Sequence, residues 1–271
     1  MLIIQKGEVM TQVVEYQLAS NSGIEYLEKK GDGEVFVMLH GISSGAYSWI
    51  KQLQDSSIPH HLIAWNTPGY GNSKALANSA PVGKDYAERL LEFVDELGIE
   101  KFTLVGHSLG AMMVAPFAAK YPERVNRMVF VCPAQGYAGE SVETKQEIFE
   151  RRPKLLERLG NIGMANERGP FLLGNPNDEN MEIVRTVSKG IELGGFTNAS
   201  HLLAYDSIEK SLPNIECQID LYYGEKDGIT PPQGMFELKK KFNKIQLHEV
   251  PGAGHLAYID APVYFKETLF K

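Results

Sequence analysis

The stretch Phe102-Thr-Leu-Val-Gly-His-Ser-Leu-Gly-Ala111 decides the fold of this chain. It begins as an apolar run, which is typical of a buried strand. The run leads into Gly106-His-Ser-Leu-Gly110, which fits the pattern G-x-S-x-G, and a helical segment follows over 111–120. A strand, a tight turn with a serine at its apex and a helix form the context in which this pattern has meaning. We therefore predict a sharp turn at Ser108, where a side chain on either glycine would collide with neighbouring backbone.

Composition excludes several classes of protein. The 271 residues carry a net charge of −7, and the longest basic cluster is Lys239-Lys-Lys241, so nucleic acid is not an expected partner. The hydrophobic content of 43% is enough for a sizeable core. Cys132 and Cys217 are too few for a disulfide framework and are expected to be buried free thiols. Because the sequence has neither a signal segment nor an apolar run of about 18 residues, we expect a cytoplasmic protein without a membrane span.

The rest of the chain alternates strands and helices. A hairpin is predicted from 12–18 and 23–28, and buried strands are predicted at 34–39, 61–65, 125–131, 218–223 and 245–250. Such near-continuous apolar runs are typical of parallel strands that are covered on both faces. Helices are predicted at 46–54, 82–97, 231–241 and 256–270. This alternation predicts an α/β fold with a doubly wound, mostly parallel sheet.

One region interrupts the alternation. Residues 134–205 contain helical segments at 141–159, 180–189 and 197–204, the first of which we expect to break near Pro153. We predict that this region is a helical cap inserted into a core domain formed by 1–133 and 206–271. A cap above the carboxyl ends of the strands would roof a site there and exclude water.

Three strand ends carry the groups that acyl transfer requires. Ser108 is the candidate nucleophile, and a serine hydroxyl is weak unless a base takes its proton. His255 lies in a glycine-rich turn after the last strand and is the candidate base. Asp227 follows the preceding strand and could orient that histidine and compensate its charge. The chain order Ser, Asp, His is typical of the α/β-hydrolase fold.

Five motifs in this order make the chain similar to the α/β-hydrolase superfamily over nearly its whole length: His40-Gly41, Asn66–Ser73, Gly106–Gly110, Gly224–Asp227 and Gly252–His255. The resemblance implies an eight-stranded sheet with an inserted cap and chemistry that needs no cofactor. It also implies an oxyanion hole formed by the amides of Ile42 and Leu109, with His40 holding the loop rather than acting as a base. Within the superfamily, the pattern resembles capped serine esterases, enol-lactonases and carbon–carbon bond hydrolases.

The chain departs from the family pattern at informative positions. Asn66 stands where the family usually has Asp, and this position mainly shapes a turn. A Ser nucleophile, in place of Asp or Cys, disfavours the dehalogenase, epoxide-hydrolase and thiol lactonase branches. No arginine is clearly placed to hold a substrate carboxylate, so anionic substrates are compatible with the sequence but not supported by it. The arginines of the cap are expected to be solvated: Arg151, Arg152, Arg158, Arg168 and Arg185.

Three functions are compatible with this sequence. The first is a serine hydrolase of small carboxylic esters or lactones that works through an acyl-enzyme. The second keeps the triad and cleaves a carbon–carbon bond in a vinylogous diketone, and the third is a ligand-binding receptor with vestigial chemistry. The histidines do not fall at metal-ligand spacings and no dinucleotide fingerprint follows a strand, so no metal or cofactor is expected. Candidate substrate-binding residues are Ser43, Met164, Phe171, Phe196 and His201.

Overall fold

Eight strands form one sheet in the computed structural model, which describes residues 14–271. In chain order they are β1 (Tyr16–Ala19), β2 (Ile24–Lys29), β3 (Val35–Leu39), β4 (His61–Trp65), β5 (Phe102–His107), β6 (Val125–Val131), β7 (Ile219–Gly224) and β8 (Ile245–Val250). Their order across the sheet is β1-β2-β4-β3-β5-β6-β7-β8. β2 pairs antiparallel with β1 and β4, and every other pair is parallel. The predicted mostly parallel α/β sheet is therefore confirmed; positions 12 and 13 of the predicted hairpin lie outside the described residues.

Helices cover both faces of the sheet. They are α1 (Ile50–Leu53), α2 (Gly83–Glu96), α3 (Leu109–Lys120), α4 (Val142–Arg168), α5 (Asp178–Ser188), α6 (Leu193–Tyr205), α7 (Pro232–Lys241), α8 (Ala257–Asp260) and α9 (Pro262–Thr268). The helix predicted over 256–270 is thus two helices, because Ala261 has φ −127° and ψ 58° and the residue before a proline disfavours helical backbone. None of the helices in residues 14–271 combines the length and apolar character that crossing a membrane requires.

Alternate side chains of β3 point to opposite faces of the sheet and pack into the core on each face. Val37 and Leu39 belong to the cluster that includes the buried faces of α2 and α3. Phe36 and Met38 belong to the cluster on the other face, with residues of α1, α8 and α9. This period of two explains why β3 is a continuous apolar run, since neither of its faces meets water.

The interrupted region is a helical insertion between β6 and β7 that contains α4, α5 and α6. The break predicted near Pro153 is wrong, because α4 continues through that residue. The non-helical backbone lies at Gly160, with φ 66° and ψ 175°. Only glycine reaches positive φ without a steric penalty, so the chain bends there and not at the proline. The division into a 134–205 cap domain and a 1–133 plus 206–271 core stays a prediction.

The turn at Ser108 has the close contacts that the sequence predicts. The φ of Ser108 is 49° and its ψ is −116°, a conformation that non-glycine residues rarely adopt. A Cβ on Gly106 would lie 2.8 Å from the Cα of Ala111, and one on Gly110 would lie 2.5 Å from the carbonyl oxygen of Leu39. Gly106 is required because β5 approaches α3, and Gly110 is required because α3 approaches the end of β3.

We expect Gly110→Ala to lower the free energy of unfolding by about 1–3 kcal/mol, the usual cost of forcing extra atoms into a packed site. The added methyl would meet a backbone oxygen that cannot move without disturbing β3. Chemical denaturation of the purified variant measures this change.

Gly194→Ala is the matched control, because Gly194 is also helical but has no atom within 4 Å of the added Cβ. There the same substitution is expected to leave stability unchanged or raise it by up to about 1 kcal/mol, the helix propensity difference. Equal losses of unfolding free energy in Gly110→Ala and Gly194→Ala would contradict the argument that the close backbone contact requires glycine at position 110.

Candidate active site

Ser108 lies between the end of β5 and the start of α3, and the surrounding backbone holds it there. Its N–H donates to the carbonyl of Val131 at 2.9 Å, and its carbonyl accepts from the N–H of Ala134 at 3.0 Å. Ser108 is only 6% exposed, yet it borders a cavity that is lined in part by residues of the helical insertion. The strained turn therefore places Ser108 at the wall of a partly open cavity.

The structure brings Asp227 and His255 together at the ends of β7 and β8. The Nδ1 of His255 lies 2.9 Å from the Oδ2 of Asp227, and both residues are buried. Because a carboxylate can only accept, Nδ1 carries the proton and Nε2 has a lone pair that can accept another. The ring of His255 and the hydroxyl of Ser108 border the same cavity.

The carboxyl of Asp227 is ionised despite its burial. Burial alone would raise its pKa, but the charge of His255 and the hydrogen bonds that it accepts outweigh this and lower the pKa to about 2. Oδ1 accepts from the N–H groups of Ile229 and Thr230 at 2.7 and 3.0 Å. The carboxylate is thus fixed in direction by backbone donors on one side and by the imidazole on the other.

Thr230 is a contact that the sequence reasoning missed. Its hydroxyl lies 2.7 Å from Asp227 Oδ2 and 3.2 Å from His255 Nδ1. The same oxygen lies 3.1 Å from the carbonyl of Cys132, and its single proton can go to one acceptor at a time. A signal existed in the segment Asp227-Gly-Ile-Thr230, since an aspartate followed closely by a threonine is typical of a turn closed by side-chain hydrogen bonds.

The two predicted oxyanion-hole residues border the same cavity as Ser108. Leu109 is the first residue of α3, so its N–H has no partner within the helix. Within residues 14–271 the N–H of Ile42 makes no hydrogen bond either, while its carbonyl accepts from the hydroxyl of Tyr70 at 2.7 Å. Two amides are therefore available to an oxygen atom bound beside Ser108.

Two buried neutral histidines support this arrangement. His40 Nε2 accepts from the N–H of Thr67 at 3.0 Å, so Nδ1 carries the proton that it donates to the Gly41 carbonyl at 2.8 Å. Burial lowers the pKa of His40 to about 4. His107 donates from Nε2 to the carbonyl of His255 at 3.0 Å, and burial, followed by the charge of His255, holds its pKa well below the usual value. Both rings position loops and remain uncharged near neutral pH.

The cavity has two lobes that meet at Ser108. The larger lobe, of about 240 Å³, and the smaller lobe, of about 80 Å³, share Ile42, Ser108, Arg152 and Ile229. The larger lobe is closed by Pro133, Gly136, Tyr137, Leu203 and Met235. The smaller lobe contains His255 together with Ser43, Leu155, Met164, Arg168 and Leu172. Insertion residues thus form much of the wall of both lobes.

Of the five predicted substrate-binding residues, Ser43 and Met164 line the smaller lobe. The other three do not line either lobe, which corrects the prediction. Phe171 is 68% exposed because the short turn that carries it faces solvent. Phe196 is fully buried in the core. The ring of His201 stacks on Tyr205 and its Nδ1 donates to the carbonyl of Pro81 at 3.0 Å, so it anchors α6.

The expectation that the cap arginines are solvated is wrong for Arg152. This residue borders both lobes, and Arg168 borders the smaller one. The sequence contained a signal, because Arg152, Leu155 and Leu159 recur at helical spacing and share the apolar face of α4.

One group of side chains in residues 14–271 could in geometry hold a metal ion. The ligand atoms of Cys132, Asp227 and His255 all lie within 4.8 Å of one another. However, the proton on His255 Nδ1 occupies the nitrogen that faces the group, and burial, with the charge of Asp227, raises the pKa of the Cys132 thiol well above its usual value. Metal ligands of these types are deprotonated, so the donor set does not favour a metal.

Comparisons with known proteins agree with the fold. A family model described as alpha/beta hydrolase fold matches residues 34–161. The (E)-2-((N-methylformamido)methylene)succinate hydrolase of Acinetobacter baylyi is 26% identical and the match covers 91% of this chain and 92% of that protein. The 2-hydroxy-6-oxononadienedioate/2-hydroxy-6-oxononatrienedioate hydrolase of Comamonas testosteroni is 26% identical, with 86% and 85% covered. Carboxylesterase YbfK of Bacillus subtilis is 23% identical, with 88% and 79% covered.

The parallel sheet, the serine turn and these matches define an α/β enzyme of the hydrolase class. The chain has the α/β-hydrolase fold and is similar in sequence to hydrolases that share it.

The buried histidines make stability depend on pH. The pKa of His40 is about 4 in the folded protein and about 6.5 when the chain is unfolded. Between these values the unfolded chain binds a proton that the folded protein does not. The contribution of neutral His40 to stability is therefore fully present above pH 6.5 and is lost as the pH falls toward 4. We expect a slope of up to about 1.4 kcal/mol per pH unit from this residue in urea unfolding. His107 acts in the same direction.

His40→Gln is the control for this slope, because the amide oxygen of Gln can accept from the Thr67 N–H without titrating. The dependence of unfolding free energy on pH should become shallower in this variant. A slope that stayed the same would contradict a neutral, buried His40.

Proposed function

We propose that this hydrolase cleaves small carboxylic esters or lactones through an acyl-enzyme formed on Ser108. One observation carries the proposal: the hydrogen bond of 2.9 Å between His255 Nδ1 and Asp227, which leaves Nε2 of a ring bordering the Ser108 cavity able to accept a proton. This is the arrangement that makes a serine hydroxyl nucleophilic.

In the proposed reaction, Ser108 Oγ attacks the carbonyl carbon while His255 Nε2 takes the hydroxyl proton. Asp227 stays ionised and stabilises the imidazolium. His255 then gives the proton to the leaving oxygen, the carbon–oxygen bond breaks and the acyl-enzyme remains. Water, activated by His255, attacks the acyl carbon and releases the acid and free Ser108.

The amides of Ile42 and Leu109 would bind the oxyanion of each tetrahedral intermediate. The hydrogen bond from Tyr70 to the carbonyl of Ile42 supports this role, because it fixes the orientation of the loop that presents the amide. The loss of one such donor typically costs about 3 kcal/mol in the transition state. In this proposal α4–α6 form a cap that keeps bulk water from the two lobes.

A second function keeps the same triad and cleaves a carbon–carbon bond in a vinylogous diketone. The specific observation in its favour is Arg152, a cap arginine that borders both lobes beside Ser108. The relative from Comamonas testosteroni is named for a dioate that its hydrolase acts on. Parallel assays with a 2-hydroxy-6-oxodienoate and with aryl esters distinguish the two: a kcat/KM higher for the dienoate would favour carbon–carbon cleavage.

We expect Ser108→Ala to lower kcat for 4-nitrophenyl acetate, 4-nitrophenyl butyrate and simple lactones by about 10⁴-fold or more, since the nucleophile itself is removed. A fluorophosphonate probe should label the wild-type protein at Ser108 and leave the variant unlabelled.

Ser56→Ala, at an exposed serine, is the matched control and should retain both turnover and labelling. Undiminished turnover in Ser108→Ala would overturn the proposal. Binding of ligands without turnover or labelling in the wild type would instead favour a receptor.

We expect Thr230→Val to lower kcat by about 10–100-fold while KM changes little. The hydroxyl contacts Asp227 and His255, and a hydrogen bond to a charged group is worth about 1.5–3 kcal/mol. Thr230→Ser restores the hydroxyl and should recover most of kcat. Equal losses of kcat in Thr230→Val and Thr230→Ser would show that Thr230 acts through packing alone.

A further inference from the structure

Asn66 and Glu25 form a buried pair outside the two lobes of the cavity. The side-chain NH₂ of Asn66 donates to Glu25 Oε2 at 2.6 Å, and its side-chain carbonyl accepts from the N–H of Ala46 at 2.8 Å. Because an N–H can only donate and a carboxylate can only accept, both ends of the Asn66 amide are fixed in direction. Asn66 and Glu25 are 5% and 7% exposed. An aspartate at position 66 would face Glu25 with a second carboxylate, so asparagine is the residue that fits this partner.

The carboxylate of Glu25 also closes the turn 66–73. Its Oε2 accepts from the backbone N–H of Asn72 at 3.1 Å, and its Oε1 accepts from the side chain of Asn72. A Cβ on Gly71 would lie 2.2 Å from Glu25 Oε2, so the carboxylate reaches the turn only because position 71 is glycine. Its donors within residues 14–271 are all amides of this turn, and they offset the cost of burying the charge.

The turn 66–73 holds the loop that carries Ile42 at three points. Before Ile42, the N–H of Thr67 donates to His40 Nε2 at 3.0 Å. At Ile42 itself, the hydroxyl of Tyr70 donates to the carbonyl at 2.7 Å. The third point follows Ile42 and is the hydrogen bond from the N–H of Ala46 described above. The position of the loop therefore depends on the position of the turn.

The position of this loop matters for the proposed oxyanion hole. A donor that stabilises an oxyanion must lie about 2.7–3.1 Å from that oxygen, and a misplacement of about 1 Å can cost 100-fold in rate. Ile42 borders both lobes beside Ser108, whereas Glu25 lines neither of them. Any influence of Glu25 on catalysis must therefore pass through the turn and the loop.

We propose that Glu25 is a positioning residue for the oxyanion hole and that it acts through Asn66 on the loop that presents the Ile42 amide. A hydrogen bond to a charged group is about twice as strong as one between neutral groups, so a carboxylate fixes the Asn66 amide better than a neutral side chain can. This inference rests on the proposed function.

The test is a double-mutant cycle over Glu25 and Asn66. Glu25→Gln replaces one acceptor oxygen by an NH₂ group that faces N–H donors, and should lower kcat for 4-nitrophenyl butyrate by about 10–100-fold with little change in KM. Asn66→Asp sets two carboxylates against each other and should lower kcat by a similar factor. The double variant again has one amide facing one carboxylate and keeps an acceptor for Ala46. It should recover most of kcat, since only one hydrogen bond from Asn72 is then missing.

Butylboronic acid separates oxyanion-hole geometry from loss of stability. Ser108 Oγ would add to boron as its proton passes to His255, and one oxygen of the tetrahedral adduct would occupy the oxyanion position. A transition-state analogue should weaken in proportion to the loss of kcat/KM, so its Ki should rise by about 10–100-fold in Glu25→Gln and fall back in the double variant. Circular dichroism at the assay temperature checks that each variant is folded.

Glu28→Gln is the matched control, because Glu28 lies on the same strand and its carboxylate also accepts hydrogen bonds. Its Oε1 lies 2.7 Å from His61 Nε2, and its Oε2 accepts from the side chain of Gln17 at 3.1 Å. Neither partner belongs to the turn 66–73, so kcat, KM and the Ki of butylboronic acid should equal those of the wild type. Losses as large as those of Glu25→Gln would show that the stability of β2 is responsible.

The two proposals fail in different ways. An unchanged kcat in folded Glu25→Gln, or a double variant that is no more active than Asn66→Asp, would overturn the positioning role while Ser108-dependent hydrolysis stands. The second comparison decides the question even where Glu25→Gln does not fold. Hydrolysis of 4-nitrophenyl butyrate at the wild-type rate by Ser108→Ala would overturn the proposed function itself.

Discussion

The close approach of β5 to α3 at Ser108 is the constraint on which the rest of the site depends. The serine backbone stays at a φ of 49° because Gly106 lets α3 approach β5 and Gly110 lets it approach the end of β3. Val131 and Ala134 also bind the serine peptide on both sides. Strain of this kind persists only where the surroundings determine it fully. One turn thereby places a hydroxyl and the N–H of Leu109 at the same cavity. A residue in relaxed backbone at this position would present one of these groups and lose the other.

The polar residues around this turn are of two kinds: an ionised pair and neutral side chains that hold loops. Asp227 accepts hydrogen bonds from two amides, from His255 and from the hydroxyl within reach at Thr230, so its carboxylate is ionised and fixed in direction. His40 and His107 are buried and neutral, so they hold loops without adding charge. Among the three histidines near the turn, only His255 has a carboxylate partner. That asymmetry is why one imidazole is suited to proton transfer and its neighbours are suited to support.

The core and the central site were predictable from sequence, while the pocket walls were not. Apolar runs end in glycine-rich turns at Ser108, Asp227 and His255, and parallel strands bring their carboxyl ends to one edge, so local patterns were enough. In the insertion, periodicity identifies an apolar face without saying whether core or cavity covers it. Phe196 and Met164 both belong to the core, but only Met164 also lines the smaller lobe. Whether an apolar residue of the insertion meets the core or the cavity depends on how the helices cross, which only the folded chain determines.

The stability of the fold does not explain why residue 152 is an arginine. Its neighbours on the inner face of α4 are Leu155 and Leu159, and an apolar side chain at this position would pack there without a desolvation penalty. Folding of the insertion therefore does not require a charge at residue 152. The carboxylate of Asp227 does not explain the arginine either, because its acceptor positions are filled by its own turn and by His255. What remains is the space beside Ser108, where Arg152 borders both lobes and the smaller lobe also carries Arg168 and His255.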